Sequence, residues 1–341
     1  MMKKVHKTFL ITAGILIAAG VIISASALAL GAGRSANGDV AFVEEEITAD
    51  DIAIYSELYG IELETTDTDR ITLIRPESAE LEYSGGMEDD TFKAELKSKR
   101  GRLIWLERLN FWGGDRNEIK LVLRVPAFYS GSIALEADSG DIEVTGFGGD
   151  MSLKAALGNI DLKNCGADTE RPGAVDISCD AGDINIVNGV FGGLECRNGL
   201  GDASLDNVAS NGTYIALDAG DIEISGGRFE SLECKNGLGD IVMNSVASNS
   251  IAAESDSGEI SGETVSAAEI KLFGNMGDIE IRGVEGANIY AETQSGDIDL
   301  SVNGAENDYI VNGRNSGADT AGKNIINASA GMGDVNIEFL N

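Results

Sequence analysis

The sequence predicts an all-β chain folded as a single-stranded, β-helix-like β-solenoid, and three observations predict it. The glycines at 182, 201, 220, 239, 258, 277 and 296 step by 19 residues, and each is followed by Asp or Glu. A fixed period near twenty residues is the mark of stacked repeats. After each glycine turn, aliphatic residues alternate with polar ones, as in Ile222 and Ile224, Ile279 and Ile281, Ile298 and Leu300. Period-two spacing puts those side chains on one face of a strand and Asp221 and Glu223 on the other. Composition supplies the third: 43% hydrophobic residues suffice for a core, and 44 glycines against 3 prolines suit a chain of many tight turns.

Each 19-residue unit reads as strand, glycine turn, strand. Upstream of the turn, Leu194 and Cys196, Leu232 and Cys234, Ile270 and Leu272 repeat the apolar spacing. One such hairpin cannot bury its apolar face alone, whereas a stack of them can. A second period lies over the first. The residue before the glycine alternates between small (Ala181, Ala219, Ser257, Ser295) and large (Leu200, Leu238, Met276), and the stretch Leu194–Asp202 returns almost intact as Leu232–Asp240. Like residues tend to stack one strand spacing apart, roughly 4.8 Å. The sequence therefore leans to pairs of 19-residue units closing a 38-residue coil. The rival is a 19-residue coil with large and small corners interleaved.

Residues 1–33 stand apart from the fold. Lys3, Lys4 and Lys7 precede an apolar run of 22 residues, Phe9 to Leu30, long enough to span a bilayer as a helix. The lysines place the N-terminus inside and the rest of the chain outside. Length favours an uncleaved single-pass anchor, although Ala25-Ser26-Ala27 and Ala27-Leu28-Ala29 also fit a signal-peptidase site that would release a secreted domain. Both readings export the domain.

Residues 34–130 are strand-like without the Gly-Asp repeat. Ile52–Ile54, Ile61–Leu63, Ile71–Ile74, Phe92–Leu96 and Leu103–Leu106 read as short strands. A solenoid needs an atypical unit at its exposed end, and this segment is expected to be that N-terminal β cap. Trp105 reads as cap core. Trp112, after Phe111 and before Gly113-Gly114, suits a loop tip where an exposed aromatic side chain is a binding candidate. The repeats occupy 131–341.

The order of an N-terminal anchor, a strand-rich segment, the strand Leu121–Pro126, then Leu135-Glu136-Ala137-Asp138-Ser139-Gly140-Asp141-Ile142 and its repeats resembles a bacterial cell-envelope family. That family is the β-strand-repeat domain of unknown function labelled "putative adhesin". The resemblance covers roughly residues 38–341. It implies an extracytoplasmic β-solenoid at the cell surface, and it brings no catalytic residues.

The charge agrees with export. With 57 Asp and Glu against 25 Lys and Arg, the formal net charge is −32, which disfavours nucleic acid or anionic lipid as a partner. Envelope or host-surface components are the expected partners, with cations or cationic peptides as the alternative for a structural or stress-related envelope protein. The bland reading of the acidity is a solvated face that keeps strand edges from pairing. The four cysteines, Cys165, Cys179, Cys196 and Cys234, sit at inward phases taken elsewhere by Val208, Leu217 and Ile215. They are therefore expected to be free, buried small hydrophobes. In 38-residue coils, however, Cys196 would stack on Cys234 at a distance a disulfide can span. No CxxC spacing suggests zinc.

A column of Asp141, Asp183, Asp202, Asp221, Asp240, Asp278 and Asp297 beside glycine turns brings calcium to mind. One carboxylate per unit is poor in ligands for an ion that takes six to eight oxygens. The alternative is that each carboxylate binds turn N–H groups. No other cofactor is expected. The only histidine, His6, falls in the N-terminal tail, so a His-based triad in the exported part is not available. A β-helix carbohydrate-active enzyme, the second alternative, would build a cleft from long loops, and the units from 182 to 296 carry no insertions. The chain is therefore expected to bind rather than react. Its aromatic and basic groups off the regular ladder are the binding candidates: Phe111 and Trp112 in the cap, Arg171 in the irregular stretch 163–176, and Tyr309 and Arg314 in the stretch 303–324.

Overall fold

The computed structural model describes residues 41–99, 119–167, 170–285, 287–311 and 323–340. The proposed anchor and its flank, the Leu103–Leu106 strand and Trp105 lie outside them. Among the described residues no helix is long and apolar enough to cross a membrane.

Two sheets carry the fold. Each repeat contributes a four-residue strand such as Ile222–Ser225 to one sheet and a longer strand such as Arg228–Leu238 to the other. The chain crosses between them at the glycine corner. Among the described residues one sheet has 14 strands and the other 15, and through the repeats every pairing is parallel. The inward phase of the short strands is mainly aliphatic: Ile222, Ile224, Ile241, Ile260, Ile279 and Ile298 are all fully buried. The core is thus a continuous aliphatic column between the sheets. No hairpin in it is self-sufficient, and each coil is stabilised by its neighbours.

The pairing register corrects the coil length. Ile222 lies beside Ile241 and Ala203, and Cys196 lies beside Ile215, which in turn lies beside Cys234. Between Ala174 and Ser295 neighbouring coils are thus 19 residues apart, as in the hydrogen bond from Asp221 N–H to Asp202. Residues one 38-residue period apart are two coils apart, about 9.6 Å by strand spacing. Cys196 and Cys234 are therefore beyond disulfide reach, and all four cysteines are free and buried. The longer period records interleaving instead. Phe191 and Phe229 are buried at alternate coils, with Ser210 between them and Ser248 beyond. A Cβ added to Gly227 would meet the Phe229 ring at 2.3 Å. Large and small residues thus alternate from coil to coil at this position.

Both corners need unusual backbone. At the first, Gly220 has φ 137°, and a Cβ there would sit 2.0 Å from the Gly201 carbonyl oxygen; only glycine fits. At the second corner the left-handed position is filled by Asn188 (φ 55°) and Asn207 (φ 54°), residues that tolerate it. Asn207 Nδ2 donates to Asn188 Oδ1 at 2.8 Å, so this corner also builds a side-chain ladder.

The N-terminal region forms strands at Asp51–Ser56, Gly60–Thr66, Ile71–Glu77 and Thr91–Ser98, as the sequence suggests, and also at Ala41–Ile47 and Leu81–Glu88. Parallel stacking does not start at residue 131. Asp51–Ser56 and Gly60–Thr66 already form a coil, paired with Ile133–Ala137 and Ile142–Thr145. Thr91–Ser98 and Lys120–Pro126 add another coil outside that one. Leu121–Pro126 is thus stacked one coil further out than its place in the sequence implies. Antiparallel strands finish both sheets at this end: Ile71–Glu77 pairs with Lys120–Pro126 and with Ala41–Ile47, and Leu81–Glu88 pairs with Thr91–Ser98. They replace the parallel edge that a bare coil would expose.

Candidate binding surfaces

The acidic column is built into the stacking. Asp202 Oδ1 accepts the N–H of Asp221 at 2.8 Å, Asp221 Oδ1 that of Asp240 at 2.8 Å, and Asp240 Oδ1 that of Glu259 at 2.8 Å. Asp141, Asp183, Asp278 and Asp297 make the same bond to the next coil. Each carboxylate therefore satisfies the corner N–H of the following coil, rather than closing an Asx-turn on its own. Asn159 does this equally well for Asp183 at 2.8 Å, so the position needs an acceptor and not a charge. Among the described residues no group of three or more His, Cys, Asp or Glu side chains is placed to hold a metal ion. The column is nonetheless electrostatically crowded. Burial first, then the carboxylates of Asp240, Glu280 and Asp278, raise the Glu259 carboxyl above its ordinary range, and Arg282 only partly offsets them.

The cysteines offer no reactive thiol. Burial pushes Cys165 and Cys179 up to about 11 and Cys234 up to about 12, and Cys196 higher still. At neutral pH all four stay protonated.

The outward face of the long-strand sheet is chemically richer. Lys154, Arg197, Lys235 and Lys271 all point out from it, each paired with a glutamate. Toward the C-terminal end this face carries aromatic groups. Lys271 lies beside Tyr290 and Tyr290 beside Asn327, while Phe273 lies beside Glu292 and Glu292 beside Ser329. These side chains line an open groove of about 290 Å³, whose base is the strand backbone at Ala291 and Ala328, two residues with side chains buried in the core. Phe273 is 42% exposed. A rigid parallel sheet holds these outward side chains in place. A second groove of about 470 Å³ runs along the opposite bend of the coils, between Pro172 and Ser266, over the buried rings of Phe191 and Phe229, with Arg228 at its rim.

The candidates named from sequence separate into different environments. Phe111, Trp112 and Arg314 lie outside the described residues. Arg171 is exposed beside Pro172, at the end of the second groove. Tyr309 is not a surface group: it is 2% exposed, with its ring centroid 5.5 Å from that of Phe339. It closes the C-terminal end of the core, because the strand Tyr309–Val311 pairs with Asn324–Met332 and turns that side chain inward. Phe273 and Tyr290 were missed because each sits within a regular repeat. Their signal is an aromatic side chain at an outward phase that neighbouring coils fill with Glu, Lys or Asn.

Residues 49–338 match the family described as Toastrack DUF4097, and the chain belongs to that family. No curated protein matches the chain. Among solved structures, a "putative adhesin" from Bacteroides fragilis is similar at 12% identity, over 89% of this chain and 97% of that one, with a TM-score of 0.31. A "putative cell adhesion protein" from Clostridium sporogenes is similar at 9% identity, over 89% and 100% of the two chains, with a TM-score of 0.25. A "putative lipid binding protein" from Parabacteroides distasonis is similar at 14% identity, over 89% and 98%, with a TM-score of 0.25. Similarity at that level carries no argument about function.

Proposed function

We propose that this Toastrack-family chain is an extracytoplasmic, non-catalytic binding module of the adhesion type, held at the cell surface by its N-terminal apolar segment. It takes a component of the envelope or of a host surface on the outward face of its long-strand sheet. The observation that carries this reading is the groove at Phe273 and Tyr290. Two aromatic side chains on adjacent strands share the outward face with Lys271, Glu292, Asn327 and Ser329. An apolar surface with a few polar groups fixed around it is the usual make-up of a binding site. Rigid strands position those groups better than loops do.

The experiment is retention of the purified protein on isolated wall material and on intact cells. Phe273→Ala and Tyr290→Ala are expected to weaken retention by about tenfold or more, the scale of losing one anchoring aromatic contact. Retention unchanged by both substitutions removes the groove from the reading. Turnover of a wall glycan by the parent protein removes the non-catalytic assignment. Protease treatment of intact cells is expected to degrade the domain, and full protection in unbroken cells would refute its placement outside.

A further inference from the structure

A separate surface lies at the glycine corner. The residue before each corner glycine forms one column, paired coil to coil in the order Leu157, Ala181, Leu200, Ala219, Leu238, Ser257. It continues through Met276, Ser295 and Met332. The large members point into solvent: Leu157 is 54% exposed, Leu200 62%, Leu238 60%, Met276 57% and Met332 70%. Folding does not ask for them. The Ala219 and Ser257 corners keep the same register and the same corner geometry with a small residue, and the core beneath belongs to Leu217, Cys234 and Ala253. Apolar side chains this exposed, repeated at every second coil, mark a contact surface.

Charge says what covers it. In the intervening coils Asp180, Asp218 and Asp256 are exposed beside the small residue, and the ladder of Asp202, Asp221 and Asp240 runs along the other flank. A second copy of the chain would set these carboxylate columns against each other. A cationic partner would neutralise them. We infer that this ridge is a docking surface for a cationic amphipathic α-helical segment with an apolar residue at every seventh position. Seven helical residues rise about 10.5 Å, and two coils rise about 9.6 Å. Across three knobs, such as Leu200, Leu238 and Met276, the accumulated mismatch is roughly 2 Å, within the reach of flexible Leu and Met side chains. Basic residues flanking the helix's apolar stripe then face aspartates on both sides.

The test uses the full-length protein and a labelled synthetic peptide of three Leu/Lys heptads, with a scrambled peptide of identical composition as control. The heptad peptide is expected to bind at least about tenfold more tightly than the scrambled one. Leu200→Ser combined with Leu238→Ser is expected to reduce its binding to the scrambled level, as two buried leucine contacts are lost. Ser257 and Ser295 occupy the same corner, so this variant should fold, and an unchanged melting temperature checks that. Asp218→Asn with Asp256→Asn should weaken binding more at low salt than at high salt. Phe273→Ala should leave peptide binding unchanged, which keeps this test independent of the groove. Equal binding of the two peptides, or parent-like binding by the double serine variant, overturns the inference. So does sedimentation showing a dimer that the double serine variant dissolves, since the occupant is then a second copy. Binding to neutral phosphatidylcholine vesicles that the same variant abolishes assigns the ridge to lipid and overturns it as well.

Discussion

Asp221 separates a structural carboxylate from a cation ligand. Its Oδ1 accepts the N–H of Asp240 at 2.8 Å, and its own N–H donates to Asp202 at 2.8 Å. Asp221→Ala leaves the Asp240 N–H without its side-chain partner. At an exposed corner where water partly replaces the lost acceptor, the cost is about 1 kcal/mol. For a chain of this size that lowers Tm by about 1–2 °C. Asp221→Asn keeps the acceptor, as Asn159 does for Asp183, and removes one charge from a column of carboxylates. Like charges one strand spacing apart repel by roughly 1 kcal/mol in water, less in salt. The Asn variant is therefore expected to be as stable as the parent or slightly more so. Thermal melts of both variants with and without millimolar calcium give the answer. If Asn costs as much as Ala, or if calcium raises the parent's Tm and the Asn variant loses that rise, the column is a cation site and this account of it fails.

Two further predictions concern titration and thiols. The Glu259 carboxyl titrates above its ordinary range in the fold, so the folded state holds that proton more tightly than the unfolded one. Its ionisation opposes folding as pH rises through the folded value, and the penalty vanishes below the unfolded value near pH 4. Glu259→Gln should accordingly raise Tm at pH 7, with the gain shrinking towards pH 4; a gain that grows on acidification would contradict this. Cys165, Cys179, Cys196 and Cys234 are buried and free, so a thiol reagent at pH 8 should label none of them in the native protein and all of them in denaturant. A Cys196–Cys234 disulfide found by mass mapping would contradict the register.

The sequence by itself determined the architecture. A 19-residue Gly-Asp step with period-two aliphatics admits only a stack of β units, because no single unit buries its own apolar face. It also determined that the cysteines face inward, since each falls at an aliphatic phase. The coil length was beyond it. A 38-residue period in composition is compatible either with long coils or with short coils whose large and small residues interleave, and only the pairing of Ile222 with Ile241 decides between them. Tertiary structure also decided the fate of single side chains. Tyr309 lies in an irregular stretch yet is buried against Phe339, because burial depends on which strand edge the chain returns to. The groove at Phe273 and Tyr290 exists because residues distant in sequence become neighbours across parallel strands. The corner ridge has the same origin. In the sequence it is an alternation of Leu with Ala, and stacking turns that alternation into a line of exposed apolar groups between rows of aspartates.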